Sequence, residues 1–550
     1  MRFRQTGVAA IAAWALAAGA HAAPSPAEAC NTLNGAAVSA REIGLPTKGA
    51  KVVSTELIGP GFDGAALHPE YCRVLGTIDP IDATAPSIRF ELDLPSAWNG
   101  KSLMMGGGGF DGAIPPVSGA YLYQPPAAVV TPLLRGYATF GSDSGHQARP
   151  ELAPIPAVDG AFAANDEALR NWAGDALKKT SDAAQHLIRL RYGQSPWRRY
   201  FVGGSNGGRQ ALRLLERWPA DVDGAVAAYP FRNAVENALA YGAFSEALAA
   251  PGGYLDPARQ ALVQQSVVAA CDADDGLADG LISNLGACRF DVATLACPEG
   301  VDRADCLTPP QLEALRRYEA PLAYRVGART ITYPGVAISG GADLRGAQQL
   351  NVRPPSSPPQ LGMPTFSWFW DGFARYAIAR DETANALQIA AQIASGRRYG
   401  PRVAELAELI NVDATDLSAF RARSGKLIIY HGAADALVSF RGTVEYWREL
   451  EARMGRENVR TFARFYVAPG FGHGDGGANA FDPQWDPLSL LELWSERGVA
   501  PSTPTAIDKA PGSTDRSRPL CEYPTWPRFE GGNPNAAASF RCVDTSSTAP

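Results

Sequence analysis

A serine flanked by small residues is the first feature of this sequence that could do chemistry. Phe201-Val-Gly-Gly-Ser-Asn-Gly-Gly208 contains the pattern Gly-x-Ser-x-Gly, with Gly203, Ser205 and Gly207. A nucleophilic serine needs a strained turn from strand to helix, so that its Oγ stands proud of the sheet, and only small neighbours fit that turn. The helix N-terminus behind it favours developing negative charge. Such a serine also needs a base, usually histidine, and the chain holds only 6 histidines. Where the chain order is serine, acid, histidine, His431 and His473 alone follow Ser205. His473 lies in Ala468-Pro-Gly-Phe-Gly-His-Gly-Asp475, and His431 precedes Gly432-Ala-Ala-Asp435. Elimination therefore points to His473 as base and Asp435 as acid. His431 is expected to line the core nearby. Asp475, two residues from His473 on the same loop, is a weaker competitor for the acid.

Acyl transfer also needs donors for the oxyanion. One is expected from the backbone N–H of Asn206. The other is expected from the loop Gly106-Gly-Gly-Gly109-Phe110, assigned to Gly108, because consecutive glycines let the backbone turn its N–H groups inward. A phosphate-cradling loop would require Gly-Lys-Ser/Thr, and none follows.

Several elements must hold these residues. Ile88–Leu94 alternates as a strand should, and Lys101–Met105, Gly136–Gly141, Arg199–Val202, Val222–Ala228, Lys426–Tyr430 and Thr461–Val467 read as further strands. Apolar spacing predicts helices over Asp175–Tyr192, Gln210–Arg217 and Thr443–Met454. This alternation predicts an α/β fold with a mostly parallel sheet. Residues 232–420 interrupt it. They are rich in loops, hold four cysteines and include Pro354-Pro-Ser-Ser-Pro-Pro359. The expected organisation is a signal peptide over 1–22, a catalytic domain in two parts over 23–231 and 421–550, and an inserted lid over 232–420.

The N-terminus reads as an address. Arg2 and Arg4 precede an apolar stretch over Val8–Ala18 and the small-x-small site Ala20-His-Ala22, the pattern of a cleaved signal peptide. A secreted or periplasmic location is expected. The cysteines agree with it: Cys30, Cys72, Cys271, Cys288, Cys297, Cys306, Cys521 and Cys542 are even in number, as in a disulfide-bonded chain. Eight cysteines allow 105 connectivities; because they cluster, pairing of neighbours is expected, 30–72, 271–288, 297–306 and 521–542. Cys-x-x-Cys is absent, which argues against zinc. A net charge of -6 from 50 basic and 56 acidic residues gives no electrostatic case for nucleic acid. No apolar run in the body of the chain reaches the roughly 18 residues of a membrane span.

Asp272-Ala-Asp-Asp-Gly-Leu-Ala-Asp-Gly-Leu281 lies between Cys271 and Cys288. Calcium takes six to eight oxygens, and this stretch is dense in them. Its spacing is loosely that of an EF loop without the closing glutamate, so an exposed acidic turn is the alternative.

Six stretches together resemble one family. They are His68-Pro-Glu-Tyr-Cys-Arg-Val74, Trp98-Asn-Gly-Lys101, Gly106–Gly109, Gly203–Gln210, Tyr430-His-Gly432 with Asp435, and the tail from Cys521 to Cys542. The family is that of tannases and feruloyl esterases, which includes esterases cleaving mono(hydroxyethyl) terephthalate. The resemblance covers most of the chain beyond the address. It implies an α/β-hydrolase with a large lid, nucleophile Ser205, acid Asp435 and base His473, acting on small-molecule carboxylic esters of aromatic acids without an organic cofactor. It implies a lid calcium held by the carboxylates of Asp272, Asp275 and Asp279 and the carbonyls of Leu277 and Leu281. It also matches the eight cysteines to the family's pairs. One departure stands out: the family usually has cysteines just before the serine and just after the histidine, joined to each other. Here those positions are Gly204 and Gly474, so an atypical branch is expected.

Phe366-Ser-Trp-Phe-Trp-Asp-Gly-Phe-Ala-Arg-Tyr376 is either a platform for an aromatic acyl group or lid core. Arg375 meets either a substrate carboxylate or a protein one. The rival readings of function are an esterase for short aliphatic or hydroxyacid esters, a serine peptidase, and an inactive binding module.

Overall fold

A computed structural model describes Met1 and residues 24–544, apart from 63–65, 121–129, 152–155, 327–328, 347–348, 475–479, 511 and 514–515. The expected signal peptide and Asp475 lie outside the described residues. Ten strands form the central sheet: β1 (Ala37–Val38), β2 (Gly49–Ile58), β3 (Tyr71–Asp79), β4 (Ile88–Pro95), β5 (Lys101–Met105), β6 (Ala138–Ser142), β7 (Arg198–Gly204), β8 (Gly224–Ala228), β9 (Lys426–Gly432) and β10 (Ala463–Ala468). Their spatial order is β1-β2-β3-β4-β6-β5-β7-β8-β9-β10. From β6 onward every pairing is parallel, and from β1 to β6 every pairing is antiparallel.

The parallel strands read as continuous apolar runs because both their faces are covered. Tyr200, Phe201 and Val202 of β7 are all buried, as are Leu427, Ile428 and Ile429 of β9. Helices α1 (Ala176–Tyr192), α2 (Asn206–Arg217) and α4 (Phe440–Met454) share one apolar core with the sheet. The helix Pro487–Arg497 contributes Leu488, Leu491 and Trp494 to a second core with Tyr200, Val226 and Ile428. β2 and β3 were not anticipated. β2 is exposed at several positions, and its register shifts between Val52 and Ser54, which interrupts the two-residue period that marks a strand.

The central sheet takes no described strand from between Ala228 and Lys426. That span is more helical than its expected loop-rich character. It holds α3 (Ala234–Ala249) and the helices Pro257–Cys271, Pro309–Glu319, Thr365–Gly372, Ala386–Ala394 and Gly400–Ile410. α3 is buried almost all round, so it shows no apolar stripe in sequence. Tyr241, Phe244, Tyr318, Phe366, Trp370 and Phe373 lie in a third core, which Phe110, Leu169, Trp172 and Leu437 from outside the span also join; there Phe244 stacks on Tyr318 at 3.9 Å.

All eight cysteines are paired, as neighbours: Cys30–Cys72, Cys271–Cys288, Cys297–Cys306 and Cys521–Cys542. Among the described residues no helix is long and apolar enough to cross a membrane.

Candidate active site

Ser205 stands between the end of β7 and the start of α2, at φ 58 and ψ −119. A non-glycine residue there is strained, and such strain persists only where the surroundings impose it. The neighbouring glycines are imposed by close approach. A Cβ on Gly203 would meet the Gly207 backbone at 2.6 Å, and one on Gly207 would meet the Gly107 carbonyl oxygen at 2.7 Å. The turn is tied from below: the Ser205 N–H donates to the Ala228 carbonyl at 3.0 Å, and the Phe231 N–H donates to the Ser205 carbonyl at 2.9 Å.

His473 comes from the loop after β10, and its Nε2 lies 2.8 Å from Ser205 Oγ. Its Nδ1 lies 2.7 Å from Asp435 Oδ2. A carboxylate only accepts, so Nδ1 donates to Asp435 and Nε2 faces the serine hydroxyl as acceptor. Asp435 sits just beyond β9 and is 1% exposed. Its Oδ1 accepts the N–H groups of Leu437 and Val438 at 2.9 and 2.8 Å. Burial opposes ionisation of Asp435, but the charge and hydrogen bonds of His473 and His431 outweigh it and hold the carboxyl well below the usual carboxylate range.

His431 does more than line the core. Its Nε2 lies 3.1 Å from Asp435 Oδ2 and 2.9 Å from the Val438 carbonyl, while its Nδ1 lies 2.8 Å from Thr443 Oγ1. Both neighbours of Nε2 are acceptors, so Nε2 donates and Nδ1 accepts from the Thr443 hydroxyl. Tyr229 is a further neighbour without a sequence signal. Its ring meets His473 edge-on at 5.0 Å, and a Cβ on Gly204 would meet it at 2.5 to 2.7 Å.

The glycine run packs against the start of α2. Gly106 donates to the Val202 carbonyl at 2.9 Å, and Gly106, Gly107 and Gly108 line a cavity of about 330 Å³ together with Ile114, Pro115, Gly203 and Gly204. Among the described residues, the N–H of Gly108 has no acceptor. Asn206 opens α2, so its N–H has no intrahelical acceptor either. Both expected oxyanion donors thus lie on segments that meet beside Ser205. Phe110 ties the run to the span between β8 and β9 through an edge contact to Phe369 at 5.3 Å, and it meets Trp172 edge-on at 5.5 Å.

Asp111 was not singled out by any motif. It is 4% exposed. Its carboxylate accepts from Gln210 Nε2 at 2.8 Å and makes short bonds with Asn206 Nδ2 and Ser144 Oγ. Burial pushes its carboxyl up to about 6 in spite of those three bonds.

The residues of the aromatic stretch divide. Phe366, Trp370 and Phe373 are core, and Phe369 meets Phe110 edge-on. Arg375 donates to Asp371 Oδ2 at 3.1 Å and to the Glu382 carbonyl, so it meets a protein carboxylate.

The acidic loop offers oxygen donors of the kind calcium takes. As placed, they are engaged otherwise. Asp272 accepts the N–H groups of Asp279, Gly280 and Leu281 at 3.2, 2.8 and 3.1 Å. Asp275 accepts from Leu277 and Ser283 at 3.1 and 3.2 Å, and Asp279 is paired with Arg518. Among the described residues no three histidine, cysteine or carboxylate groups are placed to hold a metal ion. Asp272, Asp275 and Asp279 are thus held by backbone N–H groups and by Arg518.

Known proteins resemble this chain over most of its length. The sequence pattern described as tannase and feruloyl esterase matches residues 72–543. An uncharacterized esterase of Agrobacterium fabrum is 38% identical, over 96% of this chain and 95% of its own length. The mono(2-hydroxyethyl) terephthalate hydrolase of Piscinibacter sakaiensis is 30% identical, over 88% of this chain and 86% of its own. Among solved structures, feruloyl esterase B from Aspergillus oryzae superposes with a TM-score of 0.70 at 23% identity, over 92% of this chain and 98% of that one. That likeness is one of fold, the α/β-hydrolase.

Proposed function

The chain belongs to the tannase and feruloyl esterase family and is a carboxylic ester hydrolase; from that premise we propose that Ser205, His473 and Asp435 are its catalytic triad and that its substrates are small esters of aromatic acids. The observation that carries the reading is the unbroken hydrogen-bond chain from Ser205 Oγ through His473 to Asp435.

Ser205 Oγ attacks the ester carbonyl while His473 Nε2 takes its proton. Asp435 holds the imidazole in the tautomer that leaves Nε2 free and stabilises the imidazolium that forms. The carbonyl oxygen becomes an oxyanion facing the N–H groups of Asn206 and Gly108. Collapse breaks the ester C–O bond, and His473 returns its proton to the leaving alcohol. Water, deprotonated by His473, then attacks the acyl-serine and releases the acid. A fluorophosphonate probe should modify the enzyme once, at Ser205, and peptide mapping would locate it. Modification elsewhere contradicts the assignment.

The aromatic acyl group follows the relatives: the Piscinibacter sakaiensis hydrolase is named for a terephthalate ester and the Aspergillus oryzae enzyme for a feruloyl ester. The cavity beside Ser205 is lined mainly by small and apolar residues, among them Met105, Ile114, Pro115 and Val202, a lining that suits an aromatic ring. We read residues 23–231 and 421–550 as one catalytic unit and 232–420 as its lid, because the central sheet takes no described strand from that span. We place the enzyme outside the cytoplasm, on the pattern of residues 2–22 and the four disulfides. Gly204 and Gly474 alone suggest a separate branch; neither the comparisons nor the disulfides support one.

Calcium in the loop 272–281 is proposed on donor chemistry. Burial raises the Asp275 carboxyl to about 6, and the charge of Asp279 adds to it, so a cation would relieve both. Binding requires Arg518 to leave Asp279. Chelation should lower the Tm and added calcium restore it; an unchanged Tm together with no bound calcium by elemental analysis contradicts the proposal.

A further inference from the structure

We propose that Asp111 is a positioning residue of the oxyanion site, its carboxylate fixing the glycine run and the first turn of α2 in one register so that their N–H groups face the same point. The proposal rests on the triad reading and deepens it.

Three segments meet at this one side chain. Asn206 and Gln210 lie a turn apart on α2, and Ser144 lies in the loop after β6. All three donate to Asp111. The Asp111 N–H donates back to the Gly108 carbonyl at 2.8 Å, which closes a turn and sets the peptide planes around Gly108. Asp111 and its partner Ser144 both have left-handed backbones, with φ 57 and 62. That conformation is unfavourable for a side chain with a Cβ and persists where the surroundings over-determine it.

The chemistry of the cluster demands a carboxylate. Every neighbour presents an N–H or O–H, and only an ionised acid offers two oxygens and no donor. Burying that charge without an ion pair is costly, and among the described residues no cation bonds to it directly. Arg209 instead donates from Nε to Asn206 Oδ1 at 2.7 Å. The Asn206 side chain is therefore held at both ends, by Asp111 on its Nδ2 and by Arg209 on its Oδ1. Arg209 in turn reaches the Ala173, Trp172 and Ile410 carbonyls, which carries the same network into the lid. The glycine run has no slack against it: a Cβ on Gly107 would meet Asp111 Oδ2 at 2.9 Å.

Asp111→Asn leaves one acceptor oxygen for three donors and releases Asn206. On p-nitrophenyl butyrate, kcat should fall about 100- to 1,000-fold, the range for losing one oxyanion donor, with KM within about twofold. Ser144→Ala and Gln210→Met each remove one donor but keep the Asn206 bond; each should lower kcat less than about fivefold, and the two together about tenfold. If Asp111→Asn does not fold, that double variant decides. The proposal is overturned if folded Asp111→Asn keeps kcat within about threefold, if KM rises while kcat holds, or if the double variant leaves kcat unchanged. Ser205→Ala, assayed in parallel, separates the two readings. A dead Ser205→Ala beside a fully active Asp111→Asn sinks the positioning role alone, whereas an active Ser205→Ala sinks the triad.

Discussion

Asp435 carries more of the site than its two-partner role suggests, because it accepts four hydrogen bonds, two from imidazoles. Asp435→Asn replaces one acceptor oxygen with an amide donor and favours the wrong tautomer of His473; kcat should fall by about 10⁴, measured on p-nitrophenyl butyrate. His431→Gln keeps a donor near Asp435 but loses the imidazole, and its kcat should fall by about tenfold. Equal losses in the two variants would contradict this supporting role for His431. Ser205, Asp435 and His473 were readable in the sequence because histidines are few and the chain order leaves little choice. The bond from His431 to Asp435 was not, since a spacing of four across a strand end does not fix where side chains point. Asp111 was invisible for a related reason: a lone aspartate after a glycine run carries no periodicity, and its meaning comes from Ser144, Asn206 and Gln210 arriving from elsewhere.

The elements that present these residues are held by contacts as close as chemistry allows. β9 ends on Gly432, where an added Cβ would meet the Phe471 carbonyl oxygen at 2.1 Å. Gly432→Ala must therefore push the histidine loop off the strand, and kcat should drop by at least about 100-fold while circular dichroism of the sheet is unchanged. The Cys271–Cys288 bond closes a loop with a sequence separation of 17, worth about 3 kcal/mol in the chain-entropy view. Replacing both cysteines with serine should expose the acidic loop to limited proteolysis between them and leave the cores around the central sheet uncut; cleavage within β7 or β9 would contradict this. The parallel strands were legible because burial on both faces makes them uniformly apolar. β2 and α3 were not: a register shift hides the first, and all-round burial hides the second.

At the scale of the whole molecule, the start and the end of the largely helical span between β8 and β9 are tied together by one buried carboxyl. Glu236 of α3 is 5% exposed and accepts from Asn411 Nδ2 at 2.6 Å. Burial raises its carboxyl to about 7, against the partial opposition of its hydrogen bonds. The folded chain therefore holds this proton where the unfolded chain has lost it. Between about pH 4 and pH 7 the unfolded state binds fewer protons, so this group's contribution to stability falls as pH rises. Glu236→Gln should raise the Tm by about 2–5 °C at pH 8 and leave it unchanged at pH 4; a gain equal at both would contradict the assignment. The gap in the central sheet between Ala228 and Lys426 was legible as a break in strand–helix alternation. The bond from Asn411 to Glu236 was not, because the two residues lie far apart in the chain.

The most direct test of the central claim is hydrolysis by the wild-type enzyme beside Ser205→Ala on methyl ferulate, methyl gallate, mono(2-hydroxyethyl) terephthalate and p-nitrophenyl butyrate. The account predicts turnover of at least one aromatic acid ester, cut by several orders of magnitude in Ser205→Ala. Near-equal rates for the two proteins would contradict the mechanism, and Ser205-dependent turnover of p-nitrophenyl butyrate alone would contradict the aromatic acyl assignment.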